Sequence, residues 1–178
     1  MKIVKFADLD KIFVIVLIVL FGACRPTGKA KEDNRLEDKF LVELQAKVPM
    51  DDEFELFYRG RDEKFSAERS ITVKVKGMEE FQMVTFVFDT LEFPSYIRID
   101  FGKNKAQKEM VFGHLAFRYN DNVHMFSKEE ITKYFRTNPG LDIDFNNSKV
   151  RTQEIDGKYD PYLSSFDIAY FINKVMLF

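Results

Sequence analysis

Asp142 and Asp144 stand two residues apart in Leu141-Asp142-Ile143-Asp144-Phe145, where apolar and acidic residues alternate. On a β-strand that spacing puts both carboxylates on one face, about 6.6 Å apart by strand rise, near the separation used by inverting glycosidases. A catalytic pair must also flank a substrate across a cleft, with one pKa raised so that its owner keeps a proton. Neighbours on a solvated strand face are normally both ionised. A glycan-active enzyme is therefore the alternative, and a chain without catalytic activity the expectation. As a calcium loop, Asp142, Asp144 and Asn146 match the first three ligand positions of an EF-hand, but Asn147 replaces the required Gly and Gln153 the bidentate Glu. That excludes an EF-hand and leaves a looser calcium site sharing Asp142, Asp144 or Asp160. No other cofactor is implied.

Arg98 and Asp100 project from the same face of one strand, and the guanidinium offers a fixed fork of donors to a polar ligand. The structural alternative is an ion pair at a strand edge. In Tyr159-Asp160-Pro161-Tyr162 two aromatic residues and a carboxylate share a loop, which is unusual unless the loop is packed down or used. Tyrosine has an apolar body and a hydrogen-bonding tip, suited to stacking on a sugar. Tyr159, Asp160, Tyr162, Arg98 and Asp100 are thus the candidate binding residues. His114 and His124 have no Glu or Cys at ligand spacing, so they make no zinc site. There is no Gly-x-Ser-x-Gly elbow, and Gly28-Lys29-Ala30 lacks the Ser/Thr and the earlier Gly of a phosphate loop.

These residues must be positioned by a scaffold, and composition bounds it. The chain has 178 residues, and a domain of about 150 residues buries roughly 70% of its unfolded surface without staples. Twenty Phe and seven Tyr with no Trp favour strands, where aromatic side chains suit a pleated, half-buried surface. A net charge of −2 with interspersed signs gives no basic face for nucleic acid.

The stretch Ile71 to Tyr119 holds the clearest alternation. Ile71, Val73 and Val75 share one face, Ile97, Ile99 and Phe101 another, and Val111, Leu115, Phe117 and Tyr119 a third, with breaks at Gly77, Pro94-Ser95 and Gly102 to Lys108. Phe81 to Phe88 carries apolar residues on both faces and reads as a central strand. Upstream, Phe40 to Val48 and Phe54 to Tyr58 are strands separated by a turn at Pro49 to Asp52. Downstream, Ser127-Lys128-Glu129-Glu130 is a capping box that opens one short helix near 128–135, stopped by Asn138-Pro139-Gly140. Leu141 to Phe145 and Lys149 to Gln153 read as partners across Asn146 to Ser148, and Asp156-Gly157 turns again. The tail from Tyr162 to Phe178 is apolar without a clear period and belongs to the core. Strands with hairpin-like turns every eight to twelve residues predict a mainly β fold, an antiparallel two-sheet β-sandwich.

Cys24, the only cysteine, is explained by position. Lys2, Lys5 and Lys11 precede an apolar run, Ile12 to Ala23, of 12 residues, the layout of a secretory signal. Spanning a bilayer as a helix takes about 20 apolar residues, so a permanent span is not expected. Phe21-Gly22-Ala23-Cys24 resembles the lipobox of bacterial lipoproteins, in which the cysteine is acylated and becomes the mature N-terminus. The resemblance implies a signal peptide over 1–23, a lipidated Cys24 followed by a polar tether over 24–38, and a single sandwich domain over 39–178. It also implies a bacterial cell envelope location with the protein held to a membrane by lipid. Arg25 rather than Asp after the cysteine is similar to the pattern that permits outer-membrane delivery.

Asp51 to Tyr58, Gln82 and Arg98-Ile99-Asp100-Phe101-Gly102 are together similar to jelly-roll modules of the carbohydrate-binding type in bacterial envelope proteins. The resemblance implies a non-catalytic binding module for a glycan or a protein partner. A scaffold lipoprotein of an envelope assembly is the further alternative.

Overall fold

The computed structural model describes residues 38–89, 93–107 and 109–177. Cys24, the apolar run before it and the tether up to residue 37 lie outside the described residues. No helix among the described residues is long and apolar enough to cross a membrane.

The strands are β1 (Phe40–Val48), β2 (Asp52–Arg59), β3 (Ser70–Val75), β4 (Met78–Phe88), β5 (Tyr96–Asp100), β6 (Met110–Tyr119), β7 (Asn122–Met125), β8 (Phe135–Thr137), β9 (Leu141–Asp144), β10 (Lys149–Thr152), β11 (Glu154–Ile155), β12 (Lys158–Tyr159) and β13 (Tyr162–Ser165). Two short helices join them, α1 (Lys128–Tyr134) and α2 (Ala169–Met176). One sheet, here sheet A, has the order β4-β1-β6-β10-β9 with β7 also on β6, and sheet B has the order β3-β2-β5-β13-β8. Every pairing is antiparallel. The chain crosses repeatedly between the sheets, so the expected two-sheet sandwich is what forms.

Period-two patterning closes the core. Phe40, Val42, Leu44 and Val48 of β1 face Phe54 and Leu56 of β2 and Ile97 and Ile99 of β5 across the sandwich, and all are at most 1% exposed. Rings then lead from sheet A to the helices. The centroid of Phe117 is 4.7 Å from that of Phe126, and Phe126 lies 4.9 Å from Phe171 of α2 and 5.3 Å from Phe135. Such edge and tilted contacts suit the ring quadrupole.

α1 starts where the capping box predicts. Ser127 Oγ accepts from the Glu130 N–H at 3.2 Å, and Glu130 Oε2 accepts from the Ser127 N–H at 2.9 Å. The untyped tail resolves into β13 and α2, a second helix that buries Phe171, Ile172 and Val175.

Two strand assignments change. β4 is not central but the edge of sheet A, with Val84, Phe86 and Phe88 buried and Phe81 and Met83 exposed on its outer face. In β6, Val111 does not face the core. Gln45 pairs with His114 and Ala46 with Phe112, so Gly113 is an extra residue that reverses the alternation. Met110 and Phe112 point inward before it, Leu115 and Phe117 after it. A Cβ on Gly113 would lie 2.6 Å from Gln45 Oε1 and 2.8 Å from the Gln45 carbonyl oxygen, so the bulge needs glycine.

Candidate functional site

Sheet B places β2, β5 and β13 side by side, with Glu55 opposite Asp100 and Asp100 opposite Tyr162. In the adjacent row Phe57 is opposite Arg98, Arg98 opposite Ser164, and Ser164 opposite Arg136. Because Ile97, Ile99 and Leu163 point into the core, Arg98, Asp100 and Tyr162 stand on the outer face.

The guanidinium of Arg98 donates from Nε to Asp100 Oδ1 at 2.6 Å and from Nη2 to Asp100 Oδ2 at 2.8 Å. Nη2 also donates to Asp160 Oδ1, and Lys158 Nζ reaches Asp160 Oδ2 at 2.8 Å. The Arg98 cation lies 3.9 Å above the ring of Tyr162 and 5.5 Å from that of Phe57. The side chains of Arg98, Asp100 and Asp160 are 20–23% exposed, so the network is accessible yet partly desolvated.

Burial pushes the Asp100 carboxyl up to about 6, with Asp160 and Glu55 adding and the Arg98 hydrogen bonds opposing. Burial works against the charge on Arg98, but its bond to Asp100 and the nearby carboxylates hold its pKa above the ordinary value.

Beside this network is a shallow groove of about 240 Å³, lined by Asn138, Gly140, Ile155, Lys158, Asp160 and Tyr162 among others. Asn138 shapes it. Its Nδ2 donates to the Asp160 carbonyl at 2.7 Å, its Oδ1 accepts from the Tyr162 N–H at 3.0 Å, and its backbone N–H donates to the Tyr162 carbonyl at 3.1 Å. Four predicted residues, Arg98, Asp100, Asp160 and Tyr162, therefore come together.

Tyr159 does not join them. Its hydroxyl lies 2.9 Å from Thr152 Oγ1 and 3.2 Å from the Asn104 carbonyl oxygen, to which it donates, and burial raises its pKa. The loop is both packed down, through Tyr159, and available, through Asp160 and Tyr162. Asn138 and Lys158 line the groove as well and join the candidates. The only sign of Asn138 in the sequence was its place in the helix-stopping turn.

The carboxylates of β9 serve local structure. Asp144 Oδ1 accepts from the backbone N–H groups of Asn146 at 2.9 Å and Asn147 at 3.2 Å, and Oδ2 accepts from Asn147 Nδ2 at 2.7 Å. The Asn147 side chain first, then these backbone donors, hold the Asp144 pKa below the ordinary carboxylate value, the reverse of what a general acid needs. Asp142 Oδ2 lies 3.3 Å from Arg151 Nη1. Among the described residues no group of three or more His, Cys, Asp or Glu side chains is arranged to hold a metal ion.

No protein-family model matches the chain, and comparison with curated proteins and with solved structures finds no match in either set.

Proposed function

We propose that the chain is a membrane-anchored lipoprotein of the bacterial envelope whose β-sandwich binds a glycan on the outer face of sheet B without catalysing a reaction. The observation that carries the binding reading is the Arg98-Asp100-Asp160 network over the Tyr162 ring, beside the groove shaped by Asn138. Arg98 covers one face of the Tyr162 ring, so a sugar would meet the ring where it lines the groove, with Lys158 and Asp160 beside it to pair with hydroxyls. The lipobox-like Phe21-Gly22-Ala23-Cys24 supports the anchor. A single acyl chain binds a membrane only marginally and more than one is needed for stable anchoring, so the several chains of a lipoprotein would hold the domain there.

The test is calorimetry of the full-length protein in mild detergent against polysaccharides from the producing organism's own envelope, with and without calcium. Saturable binding is expected, reduced at least tenfold by Tyr162→Ala. No binding at millimolar sugar would transfer the reading to a protein partner or a scaffold role. For the anchor, Cys24→Ala should release the protein from membranes, and unchanged retention with fatty-acid labelling would refute lipidation at that residue.

A further inference from the structure

Most edge strands of the two sheets are short or charged. β7 has four residues, β8 three with Arg136 in the middle, and β9 four with Asp142 and Asp144. β3 has six, with Lys74 on its outer face. Short length and charge are how natural sheets discourage pairing with another chain. β4 is the long one, and its charged residues, Glu79 and Glu80, are confined to its beginning. It runs for 11 residues, and Phe81-Gln82-Met83-Val84-Thr85-Phe86-Val87-Phe88 contains no charged residue, no Pro and no Gly. β1 pairs with one side of it, and no described strand pairs with the other. On the outer face next to that open side, Phe81 is 47% and Met83 43% exposed.

We infer that β4 is a self-association edge, where a second copy of this chain adds its own β4 antiparallel about a two-fold axis. Two features select a second copy as the occupant. On the processing at Cys24 proposed above, on which this step rests, the segment leading into β1 is residues 24–37, whose one large apolar side chain is Leu36, so it does not supply a strand able to bury Phe81 and Met83. The charge pattern of β4 is also self-compatible. An axis at Met83 sets Met83 against Met83 of the second copy, Phe81 against Thr85, Glu80 against Phe86 and Glu79 against Val87, so no two carboxylates meet. Lys47, 4.9 Å over the Phe81 ring, stays on the outer face and leaves the hydrogen-bonding edge free. The pairing is isologous and closes at two copies, joining two A sheets into one and leaving the outer face of sheet B untouched.

The experiment is thiol crosslinking of the full-length chain in membranes of producing cells. Met83→Cys, treated with a short bis-maleimide, should yield a species of twice the chain mass. Wild type, which keeps Cys24, and Met125→Cys, a comparably exposed site on β7 of the same sheet, should not. Adding Phe81→Lys or, separately, Thr85→Lys to Met83→Cys should reduce the doubled species at least tenfold while the domain keeps its thermal transition. Absence of the doubled species in Met83→Cys, an equal yield from Met125→Cys, or indifference to both lysine substitutions would each overturn the inference.

Discussion

Asp100 receives both arms of the Arg98 fork, at 2.6 and 2.8 Å, on a sheet face where burial has already raised its own pKa to about 6. An acid whose folded pKa lies above its unfolded value binds its proton more readily in the native state. Its contribution to stability is fully present below the unfolded value near 4 and is lost as pH rises through about 6. At 1.36 kcal/mol per unit the loss is about 2–3 kcal/mol. Urea unfolding from pH 4 to 7 should show this fall, and Asp100→Asn should flatten it.

The same titration bears on binding. Protonated Asp100 leaves Arg98 and Lys158 with Asp160 as their shared carboxylate, so this face gains one positive charge and the affinity of an acidic polysaccharide should rise as pH falls from 7.5 to 5. Asp100→Asn should bind at pH 7.5 about as wild type binds at pH 5. Calorimetry with one acidic and one neutral polysaccharide checks this, and equal pH dependence for both would disconnect the guanidinium from the ligand.

His124 works in the opposite direction. It is packed at 4.8 Å against both Phe126 and Phe171, with Nδ1 3.3 Å from Lys174 Nζ and Nε2 3.4 Å from Glu130 Oε1 without hydrogen-bond geometry. Burial lowers its pKa, with Lys174 contributing and Glu130 opposing. A histidine kept neutral in the fold contributes stability above its unfolded value near 6.5, lost as pH falls below it. His124→Phe should therefore remove an acid-side loss of stability that sets in below pH 6.5, opposite in slope to the change Asp100 gives between about 4 and 6. Thermal melts of the two single variants separate the contributions.

The contrast between Arg98 and Gly113 shows what could be read in advance. Two residues at i and i+2 share a strand face whatever the fold, so Arg98 and Asp100 were legible as a pair, as was the Ser127 capping box. That Asp160, sixty residues on, joins them depends on the register of β13 on β5, which no local pattern encodes. Tyr159 and Asp160 are adjacent, so their side chains diverge, and treating them as one site overlooked that alternation. The bulge at Gly113 broke a period of two in β6 and put Val111 on the wrong face. β4 was misplaced for a related reason, because apolar residues on both faces suit either a central strand or an unprotected edge. The eight residues of α2 gave too few turns for their period to stand out from an apolar tail.

Asp52 clamps the loop after β5. Its Oδ1 accepts from the backbone N–H groups of Lys103 at 2.7 Å and Asn104 at 3.0 Å, and its Oδ2 from Gln107 Nε2 at 3.0 Å. Gly102 lies beneath at φ +91°, and a Cβ there would be 2.2 Å from Asp52 Oδ2. Gly102→Ala should cost about 2–3 kcal/mol, through strain and displacement of the carboxylate. Asp52→Ala should cost about 1.5–3 kcal/mol in lost charge-assisted bonds. The double variant should cost less than the sum, since either change already opens the clamp, and denaturant unfolding of all three decides it.

Tyr159 and Tyr162 offer the sharpest test of the site because they lie three positions apart with opposite surroundings. Tyr159→Phe removes a hydroxyl that bridges Thr152 and the Asn104 carbonyl, so it should lower stability by about 1 kcal/mol and leave glycan affinity unchanged. Tyr162→Ala removes the ring under the Arg98 cation and one wall of the groove, so its effect should be at least tenfold on affinity and smaller on stability. Measuring both quantities for both variants distinguishes a binding face from a structural ion-pair network. A Tyr162→Ala protein that loses stability but binds as wild type would leave Arg98, Asp100 and Asp160 with a purely structural role.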